Sequence, residues 1–289
     1  MKFLAAHGVE FCCNDPKDPG IVGILNLSAD SFSGDGRTDM KDRFAAILES
    51  GASFVDVGAE STRPGSQSVP EEVEIKQICE ALRYIRSISD LPISVDTRKS
   101  AVAEAALNEG ANIINDVSGL QYDPAMADVI AKHQAGLILM HSRGTPENMQ
   151  SAEYLQYNDV CQDVSDFFRQ QIILAESRGI DRAHIMLDPG IGFAKTVEQN
   201  LALIRYGATF RKEFQLPVFY GVSRKRFLGE LSGQTEPAKR DFATAGVLAY
   251  LVEHGGVDFF RVHDPLGMVG FLKVYHRLLS ENEQQGVKI

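Results

Sequence analysis

The chain has 289 residues, of which 44% are hydrophobic and 24% are charged, which is enough to bury a full core in one domain spanning residues 1–289. A formal net charge of -10 argues against a nucleic-acid-binding protein, which needs a basic face, and no apolar run approaches the length of a membrane span. The four cysteines show no metal-binding spacing, so we expect a reduced, cytoplasmic protein.

The first twenty residues predict a β-hairpin followed by a turn. Phe3 to Ala6 and Val9 to Cys13 flank a His7-Gly8 turn, and residues 14–20 are dense in turn-forming residues. This segment stands apart from the pattern that follows it. We expect the hairpin to cover the bottom of the main fold.

Eight β-rich runs come next, and each ends in one or two polar side chains before a helix begins. The runs are short, rich in Val and Ile, and apolar on both faces, as parallel strands covered by helices must be. Their predicted bounds are Ile21 to Asn26, Ser53 to Val57, Pro92 to Asp96, Asn112 to Val117, Gly136 to His141, Ile185 to Asp188, Pro217 to Ser223 and Phe259 to His263. Eight strand-helix units predict an α/β fold, a closed (β/α)8 TIM barrel whose chemistry lies at the C-terminal ends of the strands.

The segments between these runs differ in periodicity. Glu71 to Ile88 carries an apolar stripe at helical spacing, and Asp241 to Glu253 is rich in Ala and Leu, so both predict helices. Two connections at the predicted active end, Ser28 to Thr38 and Ala59 to Pro70, lack helical periodicity. Irregular connections over a barrel mouth are typical of binding loops.

Three strand ends carry acceptor groups. Asp96, Asn115 and Asp188 end three different predicted strands and would form one acceptor-rich wall. A buried carboxylate needs N-H donors, and a flat heterocycle with an amino group beside a ring N-H supplies them. The wall therefore suits the edge of a pterin or a purine, although each residue alone is also compatible with a turn former or a helix N-cap.

A cationic group forms the second feature of the strand ends. Its members lie at the ends of the second, seventh and eighth strands: Arg63, Arg224, Lys225, Arg226, Arg261 and His263. Loops after strands seven and eight of such barrels often bind phosphate, and alternate residues such as Arg261 and His263 share one face of a strand. Phosphate or diphosphate is the predicted ligand, although the run from Ser223 to Arg226 alone is also typical of a solvated basic patch.

Other patterns narrow the chemistry. The run from Gly190 to Thr196 lacks the spacing of a phosphate-binding loop, so its glycines predict a turn beside the ligand. The sequence has no zinc-type His/Cys cluster and no GxSxG elbow. Any metal is expected to be a hard cation carried by phosphate oxygens and few protein ligands, which is typical of Mg²⁺.

Motifs spread over nearly the whole chain resemble, as a set, those of the dihydropteroate synthases. They are Gly23 to Asn26, Asp30 to Ser33, Glu60 to Gly65, Ser94 to Thr97, Ile114 to Asp116, Met140-His141, Leu187 to Phe193, Ser223 to Lys225 and Arg261 to Asp264. The first blocks and the Asp-Pro-Gly segment also have relatives in other pterin-binding barrels, such as methyltetrahydrofolate methyltransferases. The last two blocks point to the synthases themselves.

The resemblance implies that para-aminobenzoate and 6-hydroxymethyl-7,8-dihydropterin diphosphate are joined to give 7,8-dihydropteroate and diphosphate, a transferase reaction of folate synthesis. It implies that Asp96, Asn115 and Asp188 bind the pterin ring and that Lys225 reaches its carbonyl side. Asn26 is implied to contact a Mg²⁺-diphosphate. The resemblance also implies a homodimer.

The same resemblance assigns the remaining site residues. Arg261 and His263 are implied to clamp the diphosphate, while Thr62 and Arg63 belong to the second loop, near the diphosphate and the aminobenzoate. Four residues are then the expected catalytic group: Asp96, Lys225, Arg261 and His263.

Three departures from the family pattern stand out. The first loop has Ser28-Ala29 where the family commonly has Thr-Pro, and Gly34-Asp35 displaces one Asp by a position. The second loop has Gly58-Ala59 in place of Gly-Gly. Arg226 stands where many members have Ser, and both a contact with the aminobenzoate carboxylate and a solvent-facing side chain are compatible with the sequence.

Two rival functions share parts of this pattern. A corrinoid-dependent methyltransferase would keep the acceptor wall but would not need Lys225, Arg261 and His263 together. A non-catalytic pterin-binding protein would keep the fold without needing Asn26 or the loops. Because wall, cations and loop motifs all occur in this chain, we expect a synthase.

Overall fold

The strands form a closed parallel barrel preceded by an antiparallel hairpin. The structure, a computed structural model, describes residues 1–27, 36–61, 66, 68–145 and 147–285. Its strands are β1 Lys2–Ala5, β2 Val9–Cys12, β3 Gly20–Asn26, β4 Phe54–Gly58, β5 Ile93–Asp96, β6 Ile113–Asp116, β7 Gly136–Met140, β8 Ile185–Asp188, β9 Phe219–Tyr220 and β10 Phe259–Val262.

The eight strands from β3 to β10 pair in the order β8-β7-β6-β5-β4-β3-β10-β9, with all the pairings parallel. A parallel bridge between Leu187 and Val218 joins the two ends of this order and closes the ring. The predicted (β/α)8 barrel is therefore confirmed. That residues 1–289 form a single domain stays a prediction.

Helices follow the strands and cover the barrel. They are α1 Gly36–Ser50, α2 Glu71–Ile88, α3 Ser100–Asn108, α4 Met126–His133, α5 Val160–Ser177, α6 Val197–Arg205, α7 Gly207–Phe214, α8 Arg226–Ser232, α9 Asp241–Glu253 and α10 Pro265–Gln285. Helix α2 buries Ile78, Leu82 and Ile85 along one stripe, as its periodicity predicts. Among the described residues, no helix has the length and apolar character needed to cross a membrane.

Two predicted boundaries are wrong. Helix α1 begins at Gly36, inside the connection that the sequence indicates to be irregular through Thr38. The seventh barrel strand is only Phe219–Tyr220, shorter than the expected run from Pro217 to Ser223. Its first part is lost because Pro217 has no N-H and the amide of Val218 donates to the Asp258 carboxylate at 3.0 Å.

The hairpin closes the N-terminal end of the barrel, as expected. Phe3 and Phe11 stack with ring centroids 5.9 Å apart, and Phe11 makes edge contacts with Phe54 and Phe259, which begin β4 and β10. The backbone of Ala6 exchanges hydrogen bonds with Asn112, just before β6. The chemistry is thereby confined to the opposite end.

Candidate active site

The predicted acceptor wall is present at the C-terminal ends of the strands. Asp96 and Asn115 lie side by side in the β5-β6 pairing, and Asp188 ends β8. The three residues are only 7%, 3% and 5% exposed, respectively. The structure thus buries three polar side chains at the mouth of the barrel, where exposure to water would be expected.

A third carboxylate organises the wall from below. Asp56 of β4 is fully buried, and it accepts from Arg261 Nε at 2.5 Å and from Asn115 Nδ2 at 3.3 Å. Arg261 Nη2 also lies 3.4 Å from Asp96 Oδ2. The Arg261 guanidinium is therefore shared by the carboxylates of Asp56 and Asp96, and this contact orients Asp96. The hydrogen bond to Asp56 orients Asn115.

Part of the wall has acceptors without a partner. Within the described part of the chain, Asp96 Oδ1 and Asn115 Oδ1 are buried and receive no hydrogen bond. A buried acceptor that is left unpaired costs about 1 to 3 kcal/mol. Such groups in a folded protein call for an explanation, and a ligand that brings its own N-H donors is one.

Burial strongly affects the ionisation of these carboxyls. Burial and the negative charge of Asp56 raise the pKa of Asp96 to about 8, against the opposing charge of Arg261. Burial also raises the pKa of Asp188, while Lys225 opposes that shift. Asp96 is consequently able to hold a proton near neutral pH until a cationic or N-H-rich ligand favours its charged form.

Asp188 has a double role. Its Oδ1 accepts from the amide of Gly190 at 2.8 Å, so it does shape the turn after β8. Gly190 has a φ of +70° there, and a side chain would meet the carbonyl oxygen of His141 at 1.9 Å. Among the described residues, the Asp188 side chain has no other hydrogen-bond partner, so its second carboxylate oxygen can accept from a ligand.

Lys225 faces the same turn. Its ammonium donates to the carbonyl of Ile191 and lies 4.7 Å from the centre of the Phe193 ring. Burial lowers the pKa of Lys225 to about 8, while Asp188 opposes that shift. At Gly192, a Cβ would come within 3.1 Å of the Lys225 side chain, so the glycines shape the turn beside the site, as predicted.

The other predicted residues fall into three groups. His263 Nδ1 lies 3.0 Å from Ser223 Oγ. His263 directly follows β10, and Ser223 lies shortly after β9. Asn26 ends β3, and its carbonyl accepts from Arg43. Thr62 and Arg63 lie outside the described residues.

Two members of the predicted cationic group do not join the site. Arg224 is paired with Asp241 of α9 through two contacts of 2.7 Å. The side chain of Arg226 is 87% exposed and pairs with Glu230 on the same helix. Among the described residues, the cationic part of the site is therefore Lys225 and Arg261, and Arg226 faces solvent.

Several residues of the site were not predicted from the sequence. Asp56 lies two positions before the end of β4, and the period-2 rule for strands would have placed it inside the barrel. Phe193 lines the same cavity as Asp96. Lys195, only 4% exposed, donates to the carbonyl of Phe193 at 2.9 Å and lies 3.0 Å from His141 Nδ1. These contacts of Lys195 stabilise the turn that contains Phe193.

Comparison with known proteins points in one direction. The sequence profile of a family described as pterin binding enzyme matches residues 22–263. A dihydropteroate synthase of Synechocystis sp. is 38% identical over 258 residues, which is 88% of this chain and 88% of that protein.

Solved structures agree with the sequence relatives. The dihydropteroate synthase of Xanthomonas albilineans with 4-aminobenzoic acid has a TM-score of 0.85 and 33% identity, covering 96% of this chain and 97% of that one. The synthase of the same organism in complex with 7,8-dihydropteroate has a TM-score of 0.82 and 29% identity, covering 96% and 98%.

Proposed function

The chain belongs to the dihydropteroate synthase family of pterin-binding enzymes, and we propose the following account of how its site performs that family's reaction. The reaction joins para-aminobenzoate to 6-hydroxymethyl-7,8-dihydropterin diphosphate and releases diphosphate, a transferase step of folate biosynthesis. The observation that carries this function is the buried wall of Asp96, Asn115 and Asp188 with its unpaired acceptors beside Lys225.

The wall selects the pterin ring through its hydrogen-bonding edge. The amino group and ring N-H of a pterin are donors, and Asp188 and the Oδ1 atoms of Asp96 and Asn115 are acceptors. Lys225 supplies a donor for the carbonyl side of the ring. Binding therefore satisfies on both partners the groups that are costly to bury alone.

The cations act where charge develops. The bond from the methylene carbon to the diphosphate oxygen breaks, the oxygen takes the electron pair, and the amine then bonds to that carbon. Arg261 keeps its Nε and Nη2 on carboxylates, and its Nη1 has no partner within the described residues, so it can donate to the departing group. With His263 it stabilises the diphosphate anion.

No strong base is required. An arylamine is neutral and nucleophilic at pH 7, and the proton that it loses after attack passes to solvent. The electron-rich dihydropterin delocalises positive charge at its methylene carbon, which favours a dissociative substitution. The protein therefore contributes orientation and fixed charges.

A magnesium ion is part of the proposal. Among the described residues, no three His, Cys, Asp or Glu side chains are grouped to hold a metal. A hard cation held mainly by diphosphate oxygens and water needs few protein ligands, and the amide oxygen of Asn26 at the end of β3 is a suitable one. When bound, the ion would neutralise charge on the leaving diphosphate.

Chelation tests the metal. We expect excess chelator to abolish turnover and added Mg²⁺ to restore it, with Asn26→Ala raising the Mg²⁺ concentration that gives half-maximal rate. Undiminished activity in excess chelator would remove the metal from this account.

The assembly and location are also proposals. Large apolar side chains are exposed on the last three helices, where a second copy would cover them: Leu231, Phe242, Leu266, Val274 and Leu278. We propose a homodimer through this surface, which light scattering of the purified protein tests. All four cysteines are free thiols, which supports the proposal of a cytoplasmic enzyme.

One assay separates the synthase from its rivals. Incubation with the two substrates should yield dihydropteroate by chromatography, and omission of either should yield none. A corrinoid-dependent methyltransferase would give no dihydropteroate, and a non-catalytic binding protein would bind the pterin without turnover. The presence of Lys225 and Arg261 beside the wall favours the synthase over both rival functions.

A further inference from the structure

A buried lysine contacts the turn that follows β8. Lys195 is only 4% exposed, and its Nζ donates to the carbonyl of Phe193 at 2.9 Å. The same nitrogen lies 3.0 Å from His141 Nδ1 and 3.5 Å from the His141 carbonyl oxygen. Because Lys225 donates to the carbonyl of Ile191 in the same turn, two lysines hold this turn at different carbonyls.

The three contacts of Lys195 match its charged form. An ammonium has three N-H donors and no lone pair, and the two carbonyl oxygens and His141 Nδ1 are three acceptors. Burial and the charge of Lys195 lower the pKa of His141, so its ring is neutral at pH 7 and keeps one nitrogen as an acceptor. The protein therefore offers an acceptor for each N-H group of a charged Lys195.

Gly190 separates this ammonium from the Asp188 carboxylate. Asp188 Oδ1 accepts from the amide of Gly190 at 2.8 Å, and a Cβ on Gly190 would lie 3.3 Å from Lys195 Nζ. A residue without a side chain thus lies between the anion and the cation. The two charges are close enough to interact, although within the described residues the two side chains share no hydrogen bond.

Each of the two charges affects the ionisation of the other. Burial raises the pKa of Asp188, and the positive charges of Lys225 and Lys195 oppose that shift. Burial lowers the pKa of Lys195, and the negative charge of Asp188 opposes that shift. The titratable and charged groups around this pair come from neighbouring strands and loops: His141, Arg143, Tyr220, Lys225 and Arg261. Removal of the Lys195 charge should therefore make the Asp188 carboxylate easier to protonate.

We propose that Lys195 is a positioning residue for the pterin, whose ammonium places a positive charge beside Asp188 and leaves that carboxylate able to accept from the ring. The protons of Lys195 are all used inside the protein, so it acts through Asp188 and does not contact the ligand. This inference rests on the proposed function, in which Asp188 binds the pterin edge. Lys195 then sets the pH below which the ring is no longer bound well.

The test compares two lysine variants. Lys195→Met removes the buried ammonium and keeps a side chain of similar length, whereas Lys132→Met removes an exposed ammonium that pairs with Glu104. Calorimetry measures the affinity for 6-hydroxymethylpterin as the pH is lowered, and the affinity should fall as Asp188 takes up a proton. We expect the midpoint of this fall to lie about one pH unit higher in Lys195→Met, because a nearby opposite charge lowers a carboxyl pKa by about that much or more.

Below both midpoints, the Lys195→Met variant should bind the pterin about tenfold more weakly than wild type. The profile of Lys132→Met should coincide with that of wild type. If Lys195→Met does not fold, Lys195→Gln keeps an N-H donor without the charge and should show the same shift.

A second comparison shows whether the effect passes through Asp188. The amide introduced by Asp188→Asn does not titrate, so in that background Lys195→Met should add no shift to the pH profile of kcat/KM. A shift that persists there would come from another group, such as Asp96, and would overturn the role assigned to Lys195.

The remaining outcomes are distinct. A loss of affinity that is equal at every pH would show that Lys195 only holds the turn, and an unchanged profile would show that its charge has no influence; either result rejects the proposal. Failure of both Lys195 variants to fold would assign the ammonium to the fold and reject it as well. A wild-type protein that does not bind 6-hydroxymethylpterin would instead contradict the proposed function. A binding wild type with the shift in Lys195→Met alone supports both.

Discussion

The two ends of the barrel are built from the same strands but have opposite chemistry. Phe54 and Phe259 lie in the aromatic plug at the bottom, and two residues later the same strands present Asp56 and Arg261 to the mouth. Residues two apart share a face of a strand and are about 7 Å apart along it. Two positions along a strand therefore separate a layer that stabilises the fold from a layer that binds.

The same change occurs on other strands. Ile113 of β6 and Met186 of β8 lie in the bottom cluster, and Asn115 and Asp188 follow them two residues later. The lower-layer side chains named above are apolar, whereas the upper layer retains acceptors that are unpaired within the described residues. Mutations in the two layers should accordingly separate stability from activity.

The largest effect is expected at the bottom layer. Phe54→Ala removes a fully buried ring between Phe11, Phe219 and Phe259, and such truncations cost about 3 to 5 kcal/mol of stability. Urea unfolding should report this loss, while kcat/KM per folded molecule stays close to wild type. A comparable fall in kcat/KM would show that the two layers are not independent.

Asp188→Asn tests the upper layer with little change of shape. The new side-chain oxygen can still accept from Gly190, so the turn is preserved, but the amide nitrogen then meets a ring donor. We expect a loss of about 2 to 4 kcal/mol in kcat/KM, which is roughly thirty-fold to a thousand-fold, with unchanged unfolding. Near-normal kcat/KM would mean that Asp188 only shapes the turn, and its assignment to the pterin would be withdrawn.

The third test concerns the pH dependence of stability. Because the folded-state pKa of Asp96, about 8, is above its ordinary value of 3.8, its contribution to stability is full below pH 4 and is lost as pH rises to 8. Asp96→Asn should remove this dependence, so the variant gains stability relative to wild type as the pH rises across that window. Parallel unfolding curves at pH 5 and pH 8 measure the difference, and an identical margin at both values would contradict the raised pKa.

The barrel itself was predictable because each strand end carries its own local signal. Seven of the eight expected strands begin and end within about two residues of the observed ones, which is the usual precision of such boundaries. The exception is the seventh strand, where the backbone amide of Val218 donates to the Asp258 side chain and not to a neighbouring strand. That contact joins residues forty positions apart, and no local pattern encodes it.

The site was predictable in part for the same reason. Asp96, Asn115 and Asp188 are visible as polar ends of apolar runs, and the structure brings them to one end of the barrel. The buried ion pairs of Lys99 with Glu60 and Glu74 were not predicted, because ion pairs between separate segments follow from the closed fold and from no spacing rule. The start of α1 was missed because Gly36-Arg37-Thr38 carries no apolar periodicity.

The closure of the ring has a consequence for how the molecule opens. Strand β9 contributes two residue pairs to β10, and a single bridge from Leu187 to Val218 joins its other side to β8. Asp188 and Lys225 lie on opposite sides of this seam. Local opening of the barrel should begin at this seam. A pterin bound to both Asp188 and Lys225 would hold the two sides together. The amide of Leu187 should therefore exchange with deuterated solvent more slowly in the complex than in the free enzyme.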